Sequence, residues 1–230
     1  MNLYQIYKNE QYTLLFRGTM YFLVGVGMLL VMHELFYFPL LIFIPACSNL
    51  YLSVSMNREL RKAYRIWFRE LPVSSSTLIG VSTKEGYFFV KTNGWVKYAI
   101  HRQQPLSPRK DYAFYRENKD PLPILKRKRV LNMDDSVGKR FILKYASRTA
   151  LEWRSLENDK ILIYKGAEKW ILNFNGVNMF AIQTGILPTN LHAIFDAHHT
   201  LITMYESYSD ELDWLFAFLW HLDQEFYITP

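Results

Sequence analysis

Between Gly18 and Asn57 the chain carries a single formally charged side chain, Glu34, and no other feature restricts its possible folds so strongly. The stretch is far too apolar for the surface of a water-soluble domain. Glu34, beside His33 and followed by Pro39, divides it into two passes. The first runs from Leu14 to Met32, with Arg17 able to snorkel, and the second from Leu35 to Met56. Each approaches or reaches the ~17–25 residues needed to cross ~30 Å of hydrocarbon as a helix. A cleaved leader would have one short apolar core, and the second run argues against it. The competing soluble reading is a hairpin buried within a large core. Gly18, Gly25 and Gly27 mark a candidate face for close helix packing or dimerisation.

Basic residues set the expected orientation. Lys8 and Arg17 precede or open the first pass, Arg58, Arg61, Lys62, Arg65 and Arg69 follow the second, and only His33 and Glu34 lie between. The positive-inside rule then puts both termini in the cytoplasm, making residues 1–57 the hairpin anchor of a multi-pass cell-membrane protein. Residues 58–72 form a basic amphipathic juxtamembrane helix stopped by Pro72. Leu60, Tyr64, Trp67 and Leu71 share one face, and Arg58, Lys62, Arg65 and Arg69 another. One reading lays this helix along the lipid headgroups, with Arg58, Arg61, Lys62, Arg65, Trp67 and Arg69 as contacts. The other makes it an extension of the second pass that packs on the soluble domain.

With 230 residues there is room for the anchor and one domain of ordinary size, and a charged fraction of 21% shows that much of the chain faces water. The sole cysteine, Cys47, excludes an intrachain disulfide and points to a reducing compartment. The net charge of +6 conceals an asymmetry. Residues 58–169 hold 25 Lys/Arg against 12 Asp/Glu, whereas residues 170–230 hold no Lys or Arg and seven Asp/Glu. Such a split either draws two halves of a domain together or leaves a positive face for phosphates.

From residue 78 to 230 the pattern becomes that of a β-rich domain. Short runs of β-formers recur at Tyr87–Thr92, Val96–His101, Asp111–Arg116, Ile124–Leu131, Phe141–Ser147, Leu151–Ser155, Lys160–Lys165, Trp170–Asn173 and Met179–Gln183. Asn93-Gly94 and Asn175-Gly176 supply hairpin turns. Spacing without intervening helices predicts an antiparallel meander closing into a barrel or sandwich. A short helix is expected over NLHAIFDA, another strand at His199–Tyr205, and a helix capped by Ser209 through about Phe226. Asp210, Glu211 and Asp213 occupy its first turn, yet Trp214 to Trp220 is apolar on every side. That helix is too short for a third pass and predicts burial inside the strands. The fold class is therefore α+β: a two-helix transmembrane hairpin, then an antiparallel barrel-like or sandwich domain with a buried C-terminal helix.

Many short strands, a late strand and the acid-led apolar helix SDELDWLFAFLWHLDQEF resemble the tubby C-terminal-like barrel superfamily, which includes the phospholipid scramblases, over roughly residues 80–228. The resemblance implies a fold that in tubby proteins reads phosphoinositides through basic residues. It rests on the order of elements, and no individual binding residue carries over.

Chemistry-bearing clusters are few. His192, Asp196 and His199 fall at i, i+4 and i+7, the ingredients of a metal site, although the spacing matches no hydrolase motif and isolated histidines are the commoner outcome. Lys126, Arg127, Lys128 and Arg129 form a candidate anion-binding surface, but alternate members of an extended strand face opposite ways. Phosphate-loop, dinucleotide, nucleophile-elbow and CxxC signatures do not occur, so no cofactor and no catalytic residue is expected. Without an aromatic-basic module, nucleic acid is not an expected partner. The leading expectation is a non-enzymatic, membrane-anchored domain binding a protein partner, a second copy or anionic lipid, as a regulatory or scaffold component. The alternatives are an effector whose hairpin oligomerises to disturb the bilayer, and a metal-dependent enzyme using His192, Asp196 and His199.

Overall fold

The computed structural model of the chain describes residues 2–31, 37–67, 76–83, 86–102, 111–116, 119–127, 130–133, 140–167, 169–183, 187, 191, 195 and 199–226. It divides into two compact units, Met1–Glu70 and Leu71–Pro230.

The first unit is a pair of long helices, α1 (Leu3–Val31) and α2 (Tyr37–Trp67). A reciprocal capping box opens α1: Asn2 N–H donates to Gln5 Oε1 at 3.0 Å, and Gln5 N–H to Asn2 Oδ1 at 2.9 Å. The helices run antiparallel in a seven-residue register. Tyr4 meets Tyr64 with ring centroids 5.8 Å apart, and Gln11 bonds Asn57. Gly18 lies against Leu50, and Gly25 against Phe43. Steps of seven on both helices keep one seam facing the partner, as in a coiled coil. The glycines let the helices approach closely: a Cβ at Gly18 would fall 2.9 Å from Leu50 Cγ, and one at Gly25 3.1 Å from Phe43 Cζ. Gly27 has open space beside it and plays no part in this seam. Inside α2, Pro45 removes one backbone donor, and Asn49 Nδ2 bonds back to the Pro45 carbonyl at 2.7 Å. Because α2 continues unbroken to Trp67, residues 58–67 extend the second helix rather than forming an element of their own.

Both helices are long and apolar enough to cross a membrane. Their outward side chains include exposed Phe16, Leu23, Leu30 and Val31 on α1, and Leu41, Ile44 and Val54 on α2.

The second unit is a closed antiparallel barrel of twelve strands. They are β1 (Thr77–Ser82), β2 (Gly86–Lys91), β3 (Val96–Arg102), β4 (Asp111–Arg116), β5 (Lys119–Arg127), β6 (Val130–Met133), β7 (Arg140–Ala146), β8 (Ala150–Ser155), β9 (Lys160–Lys165), β10 (Trp170–Phe174), β11 (Val177–Gln183) and β12 (Thr200–Met204). Every strand pairs with its sequence neighbours, and Leu78↔Ile202 and its flanking pairs close the ring between β1 and β12. The closed alternative is thus realised rather than the sandwich, since every strand has a neighbour on each side.

Side chains two apart point inward along each strand: Phe89 and Tyr87 on β2, Ile100 and Tyr98 on β3, Leu151 and Trp153 on β8, Ile161 and Ile163 on β9. The Asn-Gly turns differ. Asn175 and Gly176 both adopt positive φ, 49° and 91°, as a two-residue hairpin turn demands, whereas between β2 and β3 only Gly94 does.

A 3-10 turn (Asp210–Leu215) then leads into α3 (Phe216–Phe226). Phe216 packs on Phe89, Tyr98 and Phe180, Phe218 on Phe141 and Trp153, Trp214 on Phe174 and Trp220 on Tyr112. Those partners belong to β2, β3, β4, β7, β8, β10 and β11, strands spread around the ring, so this segment fills the lumen. The expected single capped helix is corrected in one respect. Ser209 makes no side-chain cap bond, and Leu212, with φ −96° and ψ 18°, breaks the first turn.

Three strand expectations also change. β1 was not expected. The run Ile124–Leu131 is split between β5 and β6, and β5 begins at Lys119, through Pro121 and Pro123. Among the described residues β6 pairs with β5 only from Ile124 onward, so these prolines sit where β5 has a described partner on one side only. Two residues apart, their missing N–H groups point the same way.

Candidate functional site

Among the described residues, two places bring polar chemistry together. The first is the barrel rim where the lumen segment enters. In an up-and-down barrel the turns after even-numbered strands share one end, which is also where β1 begins and β12 finishes. There Lys97 Nζ pairs with Asp210 at 3.0 Å, and Arg116 Nη1 with Asp213 at 3.4 Å. The Tyr98 and Tyr208 hydroxyls lie 3.0 Å apart. The acids that lead the helix are therefore engaged by β3 and β4, across the basic-acidic division of the sequence. Burial raises both phenols above their ordinary pKa of 10.0. For Tyr98 the hydrogen bond to Tyr208 and the nearby Asp210 and Asp213 charges push the same way. For Tyr208 the bond to Tyr98 works against the shift, and the acids work with it.

The same rim carries exposed apolar side chains on its turns: Trp95, Leu156, Val177 and Tyr205. Glu157, Glu206 and Glu211 are exposed among them. On the outer wall, Glu152 accepts from Arg154 Nε at 2.7 Å and lies 3.2 Å from Lys160 Nζ, and these bonds lower its pKa.

The second place is an open groove of about 560 Å³ between α1 and α2. Tyr4, Lys8, Gln11 and Tyr12 line it from α1, at the i, i+4, i+7, i+8 spacing of a single helical face. Asn57, Leu60, Arg61 and Tyr64 line it from α2. Lys8 Nζ lies 5.8 Å from the ring centroids of both Tyr4 and Tyr12. Gln11 Nε2 donates to the Ser53 carbonyl at 3.0 Å and to Asn57 Oδ1 at 2.9 Å, which turns the Asn57 amide so that its NH₂ is the remaining end.

Of the headgroup residues expected from sequence, Arg61 enters this groove, Arg58 is exposed elsewhere on α2, and Lys62 pairs with Glu59 at 3.1 Å. The backbone of Arg65 and Trp67 belongs to the last turns of α2, while their side chains, like Arg69, lie outside the described residues. Lys126 and Arg127 end β5, opposite Leu131 and Val130; their side chains, and Lys128 and Arg129 altogether, lie outside the description. The same holds for His192 and Asp196. His199 stands edge-on to Phe195, 6.0 Å between centroids. Among the described residues no three of His, Cys, Asp or Glu are grouped to hold a metal ion.

Sequence reasoning marks Lys8 only as a basic flank of the first pass, and Gln11, Tyr12 and Asn57 carry no binding role there. The signal that finds them is the matched heptad spacing of positions 4, 11, 18 and 25 against 64, 57, 50 and 43. Compared with known proteins, the chain matches no family model, no curated protein and no solved structure.

Proposed function

We propose that the protein is a non-enzymatic membrane adaptor: the α1/α2 pair crosses the cell membrane with both termini in the cytoplasm, and the barrel is held at the inner leaflet to engage a partner. One observation carries this reading, the contiguous apolar exterior of the helix pair. Phe16, Leu23, Leu30, Val31, Leu41 and Ile44 are all exposed, an apolar surface that water disfavours and hydrocarbon accepts. The basic flanks supply the orientation. For the barrel, twelve strands closed around one apolar C-terminal helix support kinship with the tubby C-terminal-like superfamily. Its rim combines exposed apolar tips with acidic side chains, which favours a basic or apolar protein surface over a phosphate as the barrel's ligand.

The test is topological. Reporters fused after Arg69 and at Pro230 should both read cytoplasm, and the chain should stay with membranes through an alkaline carbonate wash. Release by the wash, or an external signal from either fusion, overturns the reading. For the rim, photocrosslinkers at Trp95 and Leu156 should trap a protein of defined mass that the same probe at Tyr145, towards the opposite end, does not.

A further inference from the structure

We propose that the groove between α1 and α2 is a binding site for the phosphate headgroup of an anionic phospholipid, with Lys8 and Arg61 as its cations and the Asn57 NH₂ as its neutral donor. This rests on the membrane reading above and names a ligand for it. Among the described residues neither Lys8 nor Arg61 has a carboxylate partner, although both face one groove. Nearby acids are directed elsewhere. Glu10 is buried two residues from Lys8, about 200° around the helix, and Glu59 is taken by Lys62. Two cations and an amide donor lining one groove without a counter-charge make up the donor set that an anion takes.

Position makes the anion a lipid. Beyond Arg17 on α1 and before Asn57 on α2, neither described helix carries a charged side chain, so the groove sits just outside the apolar span, at headgroup depth. From Tyr12 in the groove, an exposed apolar stripe continues along α1 through Phe16, Met20 and Leu23, at 57%, 68%, 46% and 58% exposure. These positions keep to one side of the helix and lead towards the hydrocarbon. A molecule with a phosphate at one end and an acyl chain at the other matches both parts. A soluble phosphate uses the cations but leaves the stripe without purpose.

The experiment uses the full chain purified in a neutral detergent. Retention of phosphatidic acid is read by native mass spectrometry against diacylglycerol of the same chains and against inorganic phosphate. Wild type should retain phosphatidic acid selectively. Lys8→Gln with Arg61→Gln should weaken it roughly thirtyfold, about fivefold per cation. Lys62→Gln should leave it unchanged, and Lys8→Arg with Arg61→Lys should restore it. Tyr12→Gln with Phe16→Gln should weaken lipid without altering the response to phosphate, which keeps the idea testable if the first variant misfolds. Equal retention of diacylglycerol, an unaffected double variant, or saturation by inorganic phosphate alone at the same concentration would each overturn the proposal. A carbonate wash run in parallel separates the two readings: wild type that leaves the membrane defeats the anchor, whereas membrane-resident protein without lipid selectivity defeats only the groove.

Discussion

Arg116 of β4 reaches Asp213 of the lumen segment at 3.4 Å, with only 10% and 3% of the two side chains exposed. Arg116 also donates through Nη2 to the Asp120 carbonyl at 2.9 Å, so one guanidinium ties the start of β5 to the entrance of the lumen. Removing either partner takes the opposite charge from the other, which stays largely away from water, a change that costs up to ~3–5 kcal/mol when an ion pair is buried. Arg116→Leu and Asp213→Leu should each lower the unfolding free energy of the barrel, measured by denaturant titration, by that order, and the double variant by clearly less than their sum. Additive effects in this cycle would show that the two side chains are not coupled.

Between the helices, bulk at Gly18 or Gly25 has nowhere to go, while bulk at Gly27 meets nothing within 4 Å. Gly18→Leu and Gly25→Leu should destabilise the pair by ~1–3 kcal/mol, the usual range for overpacking. Gly27→Leu should be neutral. The thermal midpoint in detergent and the yield of a Gln11→Cys/Asn57→Cys crosslink report the difference. Equal behaviour of all three would mean that the seam lies elsewhere on α1.

Lumen aromatics should dominate barrel stability. Phe216 and Phe218 are fully buried, and each touches strands from different sectors of the ring. Either Phe→Ala change should cost ~3–5 kcal/mol, against a typical domain total of ~5–15. Limited proteolysis should then cut the barrel while sparing wild type. Leu156→Ala, on an exposed turn, is the matched control.

Alkaline pH should loosen the rim. In the folded state the phenols of Tyr98 and Tyr208 titrate above 10.0, their ordinary value, which the unfolded chain retains. The native state therefore holds protons that the unfolded state releases, so this stabilisation is complete below about pH 10 and declines as pH rises beyond it. Tyr98→Phe and Tyr208→Phe should each flatten the alkaline decline by one proton, ~1.4 kcal/mol per pH unit. Unfolding curves across that range, with phenolate absorbance as the second readout, check it.

Much of this architecture is legible in the sequence because its signals are periodic. Lys160–Lys165 and Asp111–Arg116 alternate inward and outward residues, and their bounds coincide with β9 and β4. The all-apolar face of Trp214 to Trp220 announces a helix with no side for water, and the lumen surrounds it. β1 escapes because Leu78, Ile79 and Val81 are buried on both faces and Gly80 interrupts them, erasing the alternation. At Gly80 an added Cβ would fall on the Tyr87 hydroxyl, a requirement set by a neighbouring strand and invisible locally. β5 escapes because its prolines read as breakers until the one-sided pairing is known. The groove was legible only in part. Arg61 stood out by charge, but Lys8 and Asn57 gain meaning from the opposite helix, across a separation that no local pattern spans.

The barrel's connectivity also sets an order of assembly. Nearly all its strand pairs join consecutive strands and can form as each emerges, but β1 meets β12 only after the intervening chain exists. The aromatic segment that fills the lumen comes later still. During synthesis the inward faces of the strands therefore wait without their central partner until Trp214 to Trp220 leave the ribosome. The interval before they do so is when the hollow barrel is most open to aggregation, whatever its final stability.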